Sequence, residues 1–149
     1  MPLCDYFSAP DDAAALAVLD TLGGPGPRGL DTVPLKGVDP VVVIARLEAV
    51  LTGCTYREAA ARPRAGRALA VPDEDDSSTV VTLTDTLAAA LGTLPPADLP
   101  RLAEAWSRTE ELQEYGTTPA EAAAVLRALA ELARRAGESG QRLYCWWAL

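Results

Sequence analysis

The 149-residue chain predicts one α+β domain, 1–149: a small mixed sheet with several helices packed on it, its first and last strands paired centrally. Three observations lead there. Both ends are short apolar and aromatic runs, "PLCDYFS" at 2–8 and "RLYCWWAL" at 142–149. Between them, capped segments with helically spaced apolar residues dominate. The length also suits one core, since such a chain buries roughly 70% of its unfolded surface and needs no disulfide or metal staples.

In chain order, "PLCDYFS" reads as the first strand, and "SAPDDAAALAVLDTLGG" (8–24) as a helix. Ser8 would cap that helix, Pro10, Asp11 and Asp12 suit its first turn, and Leu16, Leu19 and Leu22 form an apolar side. "GGPGPRG" is a loop. "LDTVPLKG" (30–37) is an edge strand, because Pro34 lacks the N–H that a central strand needs. "DPVVVIARLEAVLTG" (39–53) is a helix with Asp39 as cap, Pro40 at its start and Gly53 as stop; Ile44, Leu47 and Leu51 recur at helical spacing. "TYREAAARP" (55–63) is a shorter helix ended by Pro63, and 64–78 is loop.

"TVVTLT" (79–84) is a strand, followed by a helix from Thr84. "PPADLPRLAEAW" and "SRTEELQEYG" (95–116) give two short helical pieces, with Ser107 and Glu110 at capping-box spacing. "TPAEAAAVLRALAELARRAGESG" (118–140) is the plainest helix. Thr118 and Glu121 form a capping box, Pro119 takes the first position, Arg134 and Arg135 suit the negative end, and Gly137 would stop it. Its apolar stripe is Val125, Leu129, Leu132 and Ala136. In the last strand, Leu143, Cys145 and Trp147 alternate with Tyr144, Trp146 and Ala148, so both faces are apolar. An interior strand covered on both sides has that pattern; an exposed aromatic docking patch is the alternative.

Composition narrows function. The formal charge is −8 and no basic stripe relieves it, with Arg62, Arg64 and Arg67 the sole cluster, so no nucleic-acid partner is expected. Arginine greatly outnumbers lysine, Lys36 standing alone, as in products of GC-rich genomes. The start "MPLCDYFSAPDD" has no basic segment, and no apolar run approaches the ~20 residues of a membrane span. Neither a membrane nor a leader is expected, and three well-separated cysteines fit a reducing, cytoplasmic location.

Histidine is absent, which removes Ser–His–Asp and Cys–His catalysis, histidine proton shuttles and histidine metal ligands. "GGPGPRGLD" lacks the Lys–Ser/Thr pair of a phosphate loop. "DEDDSS" (73–78), read as a calcium loop, places Ser78 where glycine belongs and Thr84 where a bidentate glutamate belongs. No metal and no cofactor are expected. Cys4, Cys54 and Cys145 have no C-x-x-C spacing; Cys4 and Cys145 would face one another if the terminal strands pair, and all three read as core thiols. Carboxylate chemistry remains. A ligand pocket of Asp5, Tyr6, Trp106, Arg108 and Glu110 forms if their segments converge. The plain alternatives are a water-exposed strand acid, a core tryptophan and a helix-capping glutamate.

The ordered segments "LKGVDPVVVIARLEAVLTG" (35–53) and "VVTLTDTLAAALGTLPPADLPRLAEAW" (80–106), then a long helix and a terminal strand, resemble the YfbM-like family of uncharacterised bacterial proteins over roughly residues 35–149. The start "CDYFSAPDD" and the close "LTG" at Leu51–Gly53 belong to the same likeness. The resemblance implies a single α+β domain and carries over no catalytic residue. Two function classes follow. One is a non-enzymatic interaction protein engaging a basic partner, as an immunity-type protein neutralises a toxin. The other is a small-ligand-binding protein or carboxylate-based enzyme using the Asp5/Trp106/Glu110 region. The chain is expected as a monomer, or as a homodimer through its terminal aromatics.

Overall fold

A computed structural model describes residues 2–72 and 77–149. The "DEDD" stretch at 73–76 lies outside the described residues. Four strands form one sheet in the order β2 (Thr32–Lys36), β1 (Leu3–Ala9), β4 (Arg142–Ala148), β3 (Ser78–Thr82). The terminal strands are therefore its two central members, as their apolar patterns predict. Every pairing is antiparallel, so the sheet is not the mixed one expected. The helices lie between strands that neighbour one another in opposite directions, and no parallel crossover results.

Alternation along the central strands divides the core in two. On one face Cys4, Tyr6, Leu143, Cys145 and the partly buried Trp147 meet α2 (Val42–Thr52), α4 (Asp85–Gly92), α5 (Leu99–Ser107) and α7 (Pro119–Glu138). Ala122, Leu126, Leu129, Leu132, Ala133 and Ala136 of α7 are buried there. On the other face Phe7, Val80, Tyr144 and Trp146 lie under the short α1 (Asp12–Leu16), the 3₁₀ turn after it and loop residues Leu30 and Leu69. Tyr144 stacks on Phe7 with ring centres 5.6 Å apart. The terminal run is thus an interior strand, with Leu143, Tyr144 and Cys145 buried and Trp146 and Trp147 partly so.

Neither sheet edge offers a continuous ladder. Ser8 N–H donates to Asp31 and Gly37 N–H to Pro2, so Pro34 falls between the bonded positions and turns its N–H-less nitrogen outward. The β3 edge is covered by residues 67–69: Leu69 N–H donates to Val80 and Thr82 N–H to Arg67.

Most caps follow the sequence. Asp39 accepts from the Val41 and Val42 amides, Gly53 closes α2 with φ +71°, and Thr55 with Glu58 completes a capping box on α3 (Tyr56–Ala60). Three differ. Ser8 continues β1 opposite Leu143, and Asp11 caps α1 instead; ladder pairing wins over a competing cap. Leu16 and Leu22 are consequently exposed, while Ala15 and Val18 are buried. Ser107 ends α5 with its hydroxyl on the Glu104 carbonyl, so Thr109 precedes α6 (Glu110–Glu114). Finally, α7 runs through Gly137, and the left-handed turn falls at Gly140.

Candidate functional site

The five residues expected to form a pocket do not converge. Asp5 shares the parity of Phe7 and sits half-buried between Pro34 and Trp146, its register partners. Burial raises its carboxyl above the ordinary range. Tyr6 points to the opposite, helical face, where it is fully buried and donates its hydroxyl to the Val38 carbonyl. Trp106 lies on that same side, buried, with its indole N–H on the Val43 carbonyl at 3.2 Å. Arg108 is exposed and pairs with Glu104 at 2.5 Å, one helical turn back. Glu110 is exposed in the first turn of α6. The alternation of a strand separates Asp5 from Tyr6 and Trp106 by the thickness of the sheet, and this breaks the proposed constellation.

Trp106 does floor a cleft, of about 320 Å³, between the turn after β2 and the α6–α7 corner. Val38 lines one side, and Tyr6 reaches this carbonyl from beneath. Leu112 and Val125 complete the apolar floor. The polar groups are Lys36 on the β2 side, and Tyr115, Thr117 and Glu121 on the helical side. Tyr115 follows α6, lines the cleft and is 53% exposed. Thr118 caps α7 by accepting the Glu121 N–H, and its hydroxyl donates to the Glu121 carboxylate at 3.0 Å, but the Glu121 side chain does not return to the Thr118 backbone, so the expected capping box is only half formed.

The segment that carries the helical side of the cleft is strongly acidic, while the cleft itself is lined by one acid, Glu121, and one base, Lys36. Residues 104–121 hold five acids against a single base, Arg108. Glu111 is taken up by Arg46 at 2.7 Å, and Glu104 by Arg108. Glu110 and Glu114 are exposed, and among the described residues no lysine or arginine lies within ion-pair distance of either. Sequence reasoning reached Trp106 and Glu110 and passed over Tyr115, Glu121 and Lys36. A tyrosine between a helix end and the next helix's threonine cap, in "QEYGTTPAE", was the available signal.

Two further polar clusters tie their own members together, with Arg64 Nε left without a hydrogen-bond partner. Glu48 on α2 is 2% exposed, yet it accepts the Thr84 hydroxyl, the Thr86 hydroxyl at 2.8 Å and Arg62 Nη1 at 2.5 Å. Three donors hold this buried carboxylate as a structural tie between α2, the loop after α3 and α4. Asp12 receives a two-pronged contact from Arg64 at 2.9 and 3.1 Å, and the Tyr144 hydroxyl at 2.7 Å. Those donors, Arg64 foremost, lower its carboxyl to about 2. Burial, then Asp12, pushes the Tyr144 hydroxyl up to about 12.

Two of the three thiols lie in the core as expected, whereas Cys54 is only half-buried, 3.3 Å from the Thr52 hydroxyl. Cys4 and Cys145 share the helical face but stand diagonally, Cys4 opposite Trp147 and Cys145 opposite Tyr6. Diagonal neighbours have Cα atoms about 7–8 Å apart, beyond the reach of an undistorted disulfide. Both are fully buried, and burial drives the Cys145 thiol well above its ordinary value. Among the described residues, no three metal-ligating side chains gather, and no helix is long and apolar enough to cross a membrane. Compared with known proteins, the chain matches no family model, no curated protein and no solved structure.

Proposed function

We propose that this protein is a non-enzymatic, cytoplasmic interaction module that binds a basic partner protein through the acidic corner formed by α5, α6 and the start of α7. The carrying observation is the pair Glu110 and Glu114, exposed and without an ion partner among the described residues, beside an exposed aromatic and an apolar cleft. Interfaces combine such anchoring pockets with a charged rim that steers the partner and sets specificity. Because Pro34 and residues 67–69 close the sheet edges, the partner engages side chains and does not add a strand. Neutralisation of a basic protein, as by an immunity protein, is the concrete form of this reading. The resemblance to the YfbM-like family supports it only as far as the fold. A small molecule in the same cleft is the second reading, favoured by a volume within the range of ligand sites.

Calorimetric titration of an arginine-rich peptide into two charge-matched variants tests the proposal. Glu110→Gln/Glu114→Gln removes the corner's free charge, while Glu131→Gln/Glu138→Gln removes as much from exposed positions farther along α7. The corner variant should bind several-fold more weakly, and the control should resemble the wild type. Equal weakening of both would reduce the attraction to net charge and remove the corner from the account.

A further inference from the structure

The chain builds one arrangement twice from its own residues: an arginine held between a tyrosine ring and a carboxylate. Arg46 lies 4.2 Å from the centre of the Tyr56 ring while its Nε donates to Glu111 at 2.7 Å. Arg64 lies 5.7 Å from the centre of the Tyr144 ring while it grips Asp12 at 2.9 Å. At the α6–α7 corner, Tyr115 and Glu121 line one cleft, and among the described residues no arginine is placed over that ring. The ring and the carboxylate are present, and among the described residues the one cation lining the cleft is Lys36.

Resting on the interaction reading above, we infer that this cleft is an anchor site for an arginine side chain of the partner protein. The aliphatic stem would lie along Leu112 and Val125 above Trp106, and the guanidinium would sit between the Tyr115 ring and Glu121. Arginine suits this better than lysine, because its planar head stacks on an aromatic face while still donating to a carboxylate, and it is less strongly hydrated. Charge complementarity favours the same occupant: Glu110 and Glu114 add negative potential outside the cleft. Lys36, on the opposite wall, is the one opposing charge. Its removal should therefore strengthen the site.

The probes are N-acetyl-arginine amide and its uncharged isostere N-acetyl-citrulline amide, followed by amide and indole NMR shifts. The arginine probe should shift residues 36–38 and 115–125 saturably, with citrulline binding several-fold more weakly. Tyr115→Phe should keep the affinity, Tyr115→Leu should lose about three-fold, and Lys36→Met should gain. Tyr115 is exposed, so its variants are expected to fold. Equal binding of the two probes, no loss in Tyr115→Leu, or no saturable shift with the arginine probe would overturn the anchor. An arginine-rich peptide added to the same sample separates the two proposals. Binding at Glu110 and Glu114 while the arginine probe fails would leave the interaction reading standing, and failure of both would end both.

Discussion

Tyr144 lies beneath Arg64, and both converge on Asp12, whereas Tyr115 is half-exposed, lines a cleft with Glu121 and, among the described residues, has no arginine over its ring. The chemistry is alike and the use differs. Around Tyr144 the interactions are spent on folding: they join α1, the loop after α3 and β4 across a face that has little regular structure to cover it. Arg64 even adopts a left-handed backbone, φ +71°, costing about 1–2 kcal/mol, with its carbonyl held by the Thr82 hydroxyl at 2.5 Å. Around Tyr115 the helices already pack through Leu112, Ala122 and Leu126, and the half-exposed ring lies outside that packing. Groups outside the packing are the ones available to a partner.

Truncation should separate the two tyrosines most sharply. Tyr144→Ala empties a fully buried site stacked on Phe7 and should lose about 3–5 kcal/mol of unfolding free energy. Tyr115→Ala should stay within about 1 kcal/mol in the same denaturant titration. Similar losses at both would erase the distinction. Next in size is Gly24, whose φ of +76° and close approach to Trp146 leave no room for a side chain: a Cβ would lie 2.7 Å from the ring. Gly24→Ala should cost about 1–3 kcal/mol and disturb Trp146 fluorescence. An unchanged melting curve would mean that this cover is not tightly seated.

The smallest effect concerns Asp12. Its folded carboxyl titrates at about 2 against an ordinary 3.8, so the stability it contributes is complete above 3.8 and lost as pH falls toward 2. Half-exposure of the side chain limits this to about 1 kcal/mol. Asp12→Asn should lower stability at neutral pH by that amount and flatten the pH dependence below 3.8. An acid limb as steep as the wild type's would assign the dependence to other carboxylates.

Legibility from sequence divides along the same line. The helical face was readable because its cover is amphipathic: Leu129, Leu132 and Ala136 recur at helical spacing between a threonine N-cap and a basic end. The interior position of the last strand was readable from its two apolar faces. The other face was not, because its cover depends on contacts between residues far apart in the chain, Asp12 with Arg64 and Gly24 with Trp146, which leave no periodic trace. The pocket of Asp5, Tyr6, Trp106, Arg108 and Glu110 failed for a local reason: adjacent residues of a strand face opposite ways, so Asp5 and Tyr6 could not serve one cavity. The corner itself was partly visible in Trp106 and Glu110. Tyr115 had only its place between a helix end and the Thr118 cap to mark it, because exposure, not residue type, distinguishes it from Tyr6.

An amide-shift map of the labelled protein with an arginine-rich peptide at low ionic strength locates the partner surface. Shifts should concentrate at residues 36–38 and 110–125, with Asp12, Arg64 and Tyr144 unmoved. Shifts centred on Asp12 and Tyr144, or spread evenly over every exposed acid, would rule out the acidic corner as the binding surface.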